Sequence, residues 1–162
     1  MKKINSWRVF SYATLIALFS LSITGCEKDD DFDDDNIDRT YTLSGSASGS
    51  QEVPAVTTSA TGSITGTYDA RINTLNYTIT WSGLTNVATM MHFHGPAIIG
   101  AEAGPIHDLN IVTNGINGTA SGTLVLADST EAHLLNGRIY YNIHTALNPD
   151  GEIRGQVTAT AN

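Results

Sequence analysis

Residues 40–162 are predicted to form an all-β domain, a Greek-key β-sandwich or barrel of about seven to eight antiparallel strands. Three observations carry this prediction. No stretch sustains a helical apolar period, Thr, Val, Ile and Tyr recur in short runs, and turn residues separate those runs.

The expected strands, in order, are 39–44, 61–69, 74–82, 89–94, 118–127, 137–145 and 152–159. The first is a short Thr/Tyr/Leu run. The second and third form a hairpin whose second arm alternates Leu75, Tyr77, Ile79 and Trp81 with Asn76, Thr78, Thr80 and Ser82, so one face is buried and the other wet. Asn114-Gly115, Asn117-Gly118, Asn136-Gly137 and Pro149-Asp150-Gly151 supply the backbone conformations that reversals require.

The fourth strand, in "TMMHFHG", places Met91 and Phe93 toward the core and His92 and His94 together on the opposite face, because alternate residues share a side. In the sixth, "GRIYYNIHT", Ile139, Tyr141 and Ile143 alternate with Tyr140, Asn142 and His144. The Pro149-Asp150-Gly151 turn should fold the last strand back against it. Matching the faces pairs Tyr140 with Gln156, Asn142 with Arg154, Ile143 with Ile153 and His144 with Glu152; a slip of one residue would oppose His144 to Ile153.

A polar sheet face then carries His144, Glu152 and Arg154, and the His92/His94 strand is expected to pack onto it. The connection 95–105 would lie over that face and bring His107 and Asp108 along. His92, His94, His144 and His107 are therefore the candidate metal ligands, with Glu152, Arg154 and Asp108 as their supporting partners. Three or four imidazoles suit copper or zinc and offer too few oxygens for calcium. His133 follows a turn and is expected to contact solvent.

Ahead of this domain, Lys2, Lys3 and Arg8 precede an apolar run from Val9 to Ile23, and Ile-Thr-Gly-Cys follows, which resembles a bacterial lipobox. Residues 1–25 read as a lipoprotein signal peptide and Cys26 as the lipidated first residue of the mature chain. Residues 26–39 read as a disordered tether, with eight acids against Lys28 and Arg39. The expected location is the outer membrane, facing the periplasm or the cell surface, with the membrane as partner through the lipid on Cys26.

Cys26 is the only cysteine, so disulfides within the chain are excluded. Residues 39–162 carry eight acids against Arg39, Arg71, Arg138 and Arg154, a net charge of −4 without a basic patch, and nucleic acid is not an expected partner. No Gly-x-Ser-x-Gly elbow and no Walker loop is present.

Three blocks, "LSGSASGSQEVPAVTTSATGSITG", "MHFHGPA" and "GRIYYNIHTALNPDGEIRGQV", resemble in that order the recurring segments of the CHRD domain family, over roughly residues 42–157. Asn142, His144, Thr145, Pro149, Gly151, Glu152, Arg154 and Gly155 fall where the family pattern places them. Departures are an extra Ser/Gly-rich stretch before Gln51-Glu52-Val53-Pro54 and Ala55 at the pattern's second proline. The resemblance implies an extracellular β-sandwich and no agreed reaction. A fainter likeness is to copper/zinc superoxide dismutases, whose His-x-His strand His92 and His94 would match, although the disulfide and the zinc loop are lacking.

The leading expectation is thus a lipid-anchored binding module for an extracellular protein or small ligand, holding copper or zinc in its histidine cluster. The alternatives are a metalloenzyme (copper redox, superoxide dismutase-like, or zinc hydrolase) and a metal-free structural or adhesive domain.

Overall fold

The computed structural model describes residues 39–162; the expected signal peptide, Cys26 and the expected tether up to residue 38 lie outside the described residues. Among the described residues the chain forms ten strands and one α-helix. The strands are β1 (Thr40–Ser48), β2 (Thr61–Asp69), β3 (Thr74–Ser82), β4 (Ala88–His94), β5 (Pro105–Asp108), β6 (Ile111–Thr113), β7 (Gly118–Val125), β8 (Tyr140–Thr145), β9 (Ile153–Gln156) and β10 (Thr158–Ala161), and the helix is α1 (Asp128–Leu135). All pairings are antiparallel, in the order β5-β4-β8-β9-β1-β2-β3-β7-β6, with β10 also on β1.

The sheet curls, and one extended segment bridges its two edges. β5 pairs with β4, β6 pairs with β7, and between them Leu109 donates to Met91 O while Ser121 donates to Asn110 O. Both strands of this bridge are too short to give a sequence signal; position, not propensity, makes them strands.

β1 runs four residues beyond its expected end. Gly45-Ser46-Ala47-Ser48 has little strand preference of its own, but it zips onto Ile64, Ser63, Gly62 and Thr61 of β2. The expected last strand is two strands: Val157, 1% exposed, breaks the run and donates to Ile139 O, after which β10 pairs with the start of β1. The β8/β9 register agrees with the face-matching argument at Tyr140–Gln156, Asn142–Arg154 and Ile143–Ile153.

The helix was not expected. It has one buried side chain, Leu134, and so no apolar stripe to betray it. Its ends account for it: Asp128 and Glu131 lie in the first turn, where they suit the helix dipole, and Asn136-Gly137 ends it. Gly137 has φ +63°, its N–H donates to Leu134 O, and Arg138 N–H donates to His133 O, the paired bonds of a Schellman cap. Asn136-Gly137, expected at a reversal, is a helix stop, and His133, expected after a turn, sits on the helix.

The concave face is the core: Leu43, Ile64, Tyr68, Leu75, Tyr77, Ile79, Trp81, Met91, Phe93, Tyr141, Ile143 and Ile153 are all at most 4% exposed. Each such side chain contributes about 1.5–3 kcal/mol on burial. Two glycines of β7 make room for the largest rings. Gly118 lies opposite Trp81 and Gly122 opposite Tyr77, and a Cβ at either position would run into the ring facing it. Gly118 is therefore needed for space beside the indole, while Asn117 ends the connection between β6 and β7.

Candidate metal centre

β4 and β8 are neighbouring strands of one sheet, which corrects the expectation that the His92/His94 strand packs onto the face bearing His144. Met90 lies opposite His144, His92 opposite Asn142 and His94 opposite Tyr140. Residues directly opposite share a face. The outer face here thus carries His92, His94 and His144 side by side, while Met91 and Phe93 fill the core behind them.

One ring nitrogen from each of the three histidines lies within 4.8 Å of the other two. His94 and His144 are buried, at 8% and 6% exposure, and His92 is partly buried. The ring centroids are 4.9 Å apart for His92–His144, 5.5 Å for His92–His94 and 6.1 Å for His94–His144.

The hydrogen bonds assign the protons. His94 Nδ1 is 2.9 Å from Ala103 O, and His144 Nδ1 is 2.9 Å from Pro149 O. A carbonyl oxygen only accepts, so both Nδ1 atoms carry hydrogen and both Nε2 atoms present lone pairs. His144 Nε2 accepts from His92 Nδ1 at 3.0 Å. His94 Nε2 is buried with no partner. On the other side of His92, Nε2 stands 3.5 Å from Asp108 Oδ1.

Burial pushes the pKa of both His94 and His144 down from the usual imidazole value, opposed by their carbonyl bonds and reinforced by the neighbouring histidines. Both rings are neutral at pH 7, the form that binds metals.

The connection 95–104 lies over this face, tied by the carbonyls of three alanines. Gln156 Nε2 donates to Ala97 O, Arg154 Nη2 to Ala101 O, and His94 Nδ1 and Tyr140 OH to Ala103 O. Tyr140 stacks on His94 with centroids 4.8 Å apart and an interplanar angle of 13°, and Arg154 Cζ sits 3.6 Å from the Tyr140 centroid. Arg154, 2% exposed, thus braces the ring that braces His94. Tyr140 is a site residue that the sequence reading left out, although it alternates with Asn142 and His144.

The other predicted site residues are distributed differently. Asp108 pairs with His92 and shares its face. His107 pairs with Phe93, so it projects to the other side and does not supply a fourth ligand to the trio.

Glu152 does not turn to the histidines either. It is fully buried, and its carboxylate accepts from Thr58 Oγ1 (3.0 Å), Thr85 N (2.8 Å), Thr85 Oγ1 (2.7 Å), Thr145 Oγ1 (2.9 Å) and Asn148 Nδ2 (3.3 Å). Burial alone would raise its pKa, but the bonds from Thr85, Thr145 and Thr58 together outweigh burial and hold it below the ordinary carboxylate value. Thr58 and Thr85 are 94 and 67 residues away in sequence, so no local pattern could have announced this cradle.

A second carboxylate, Glu52, is the opposite case. Burial raises its pKa from 4.5 to about 7, Arg154 pulling it down and Glu102 adding to the rise. Its Oε1 and the Oδ1 of Asn142 are both buried without a partner, and both lie against Gly151, whose φ is +132°.

A family model described as CHRD domain matches residues 43–157. No curated protein and no solved structure matches the chain.

Proposed function

The chain belongs to the CHRD domain family, and from that premise we propose that this small extracellular-type binding module holds one copper or zinc ion through His92 Nδ1, His94 Nε2 and His144 Nε2. One observation carries the reading: His94 Nε2 is a buried lone pair without a donor, aimed at the same place as two further imidazoles. A buried acceptor left unpaired costs about 1–3 kcal/mol, a cost that a bound cation would remove.

The geometry supports a metal of this kind. With metal–nitrogen bonds of about 2.0–2.1 Å, the 3.0 Å between His92 Nδ1 and His144 Nε2 subtends about 95° at the ion. The wider separations, up to 4.8 Å, need shifts on the order of 1 Å to reach the ~3.3 Å edge of a tetrahedral site. Two of the three rings already donate their other nitrogen to a carbonyl, as metal-binding histidines do. To offer Nδ1 to an ion, His92 would carry its proton on Nε2, which would point it toward Asp108 Oδ1, 3.5 Å away.

The acidic tether and the Ile-Thr-Gly-Cys motif support placing this module on a membrane through lipid on Cys26, at the outer membrane. Labelled palmitate should enter the wild-type chain and not Cys26→Ser; equal incorporation would refute the anchor.

Metal content tests the main reading. The full chain, purified without a polyhistidine tag, should hold near-stoichiometric copper or zinc, or gain thermal stability when either is added. A metal-free protein whose melting is unmoved by copper(II) and zinc(II) would overturn it.

A further inference from the structure

Resting on that metal reading, we infer that the Met90 thioether is the fourth ligand of the site and makes it selective for copper(I) over zinc(II). Residues 90, 92 and 94 alternate onto one face of β4, and Met90 lies directly across from His144. Its core-facing neighbour Met91 is 2% exposed, whereas Met90 is 49% exposed, on the face that carries the histidines.

A local irregularity places it there. The β4/β8 register shifts between Ala88 and Met90, leaving Thr89 as an extra residue, and Thr89 Oγ1 donates to His144 O at 3.2 Å. Such bulges re-aim the side chains beside them. This one ties the backbone next to Met90 to the backbone of a proposed ligand. Met90 and His92 line one open groove of about 340 Å³ with Asp108 and Ile111, so the thioether and the partly buried histidine share an opening.

Ligand softness gives the metal. A thioether is a soft donor that favours copper(I), while zinc(II) is satisfied by imidazole and water and gains little from it. Three histidines alone would not separate the two ions this way.

The test compares wild type, Met90→Leu and His92→Ala, each as the full chain, by competition against a chromophoric copper(I) chelator and a zinc(II) indicator. Leucine keeps the size of a half-exposed residue. Met90→Leu should weaken copper(I) binding at least tenfold, leave zinc(II) within about twofold, and remove a sulfur shell from the copper X-ray absorption spectrum, while His92→Ala weakens both metals.

Equal copper(I) affinity in wild type and Met90→Leu, with both still binding metal through His92, would overturn the role of Met90 and leave the histidine site standing. If wild type binds neither ion, the histidine reading and this one fall together.

Discussion

The Glu152 cradle and the histidine trio are both buried polar clusters on the same part of the sheet, and they are built to opposite rules. Glu152 is surrounded by five donors that leave neither oxygen in want of a partner. The trio has three imidazoles converging with two Nδ1 protons committed elsewhere and one Nε2 left bare. A closed cluster joins loops to strands and asks for nothing more. An open one is held by the scaffold with an acceptor left unmatched, and the proposed metal site rests on that acceptor.

Breaking each cluster should therefore have different consequences. The largest effect is expected from His92→Ala combined with His94→Ala, which should abolish stoichiometric metal binding by calorimetry and move the apo protein's melting temperature by only a few degrees. Glu152→Ala should do the reverse. It strands five donors and should cost about 3–5 kcal/mol in urea unfolding, while the folded fraction keeps its metal stoichiometry. If Glu152→Ala lost metal with the fold intact, the two clusters would be one functional unit.

Glu52 lies between these extremes and has a pH signature. Its folded pKa, about 7, is above the 4.5 of the unfolded chain, so between those values the unfolded chain releases a proton that the folded one keeps. Its contribution is fully present below pH 4.5 and is lost as the pH rises to about 7, a change of about 3 kcal/mol. His94 and His144 slope the other way, since their lowered values make stability fall as the pH drops below 6.5. The difference between wild type and Glu52→Gln isolates the acid: the variant should gain on wild type from pH 4.5 to 7, and parallel curves would contradict a buried protonated Glu52.

The smallest effects separate the partners of His92 and Phe93. Asp108 is 97% exposed, so Asp108→Asn should weaken metal binding by about tenfold at most, whereas His107→Ala, on the other face, should leave it unchanged in the same titration.

Much of this was legible in the chain because β-structure writes itself with a period of two. Alternation alone separated Met91 and Phe93 from His92 and His94, and the identity of the faces was enough to set the β8/β9 register. Helix α1 was hidden because a helix that buries only Leu134 leaves no periodic trace. Met90 lies on the His92 face by the same alternation, but nothing in the sequence alone marks it as part of the site until the register sets it opposite His144.

What the sequence determined by itself was therefore local: an all-β domain, which residues of each strand share a face, and where the strongest turns fall. Only the tertiary structure decided that β4 is the neighbour of β8 rather than a layer above it, that Glu152 belongs to Thr58 and Thr85, and that His107 faces away. The physical reason is that side-chain alternation is a property of one strand, whereas the order of strands and the donors around a buried carboxylate depend on contacts between residues far apart in the chain. Those contacts are set by the total burial and hydrogen bonding of the folded whole.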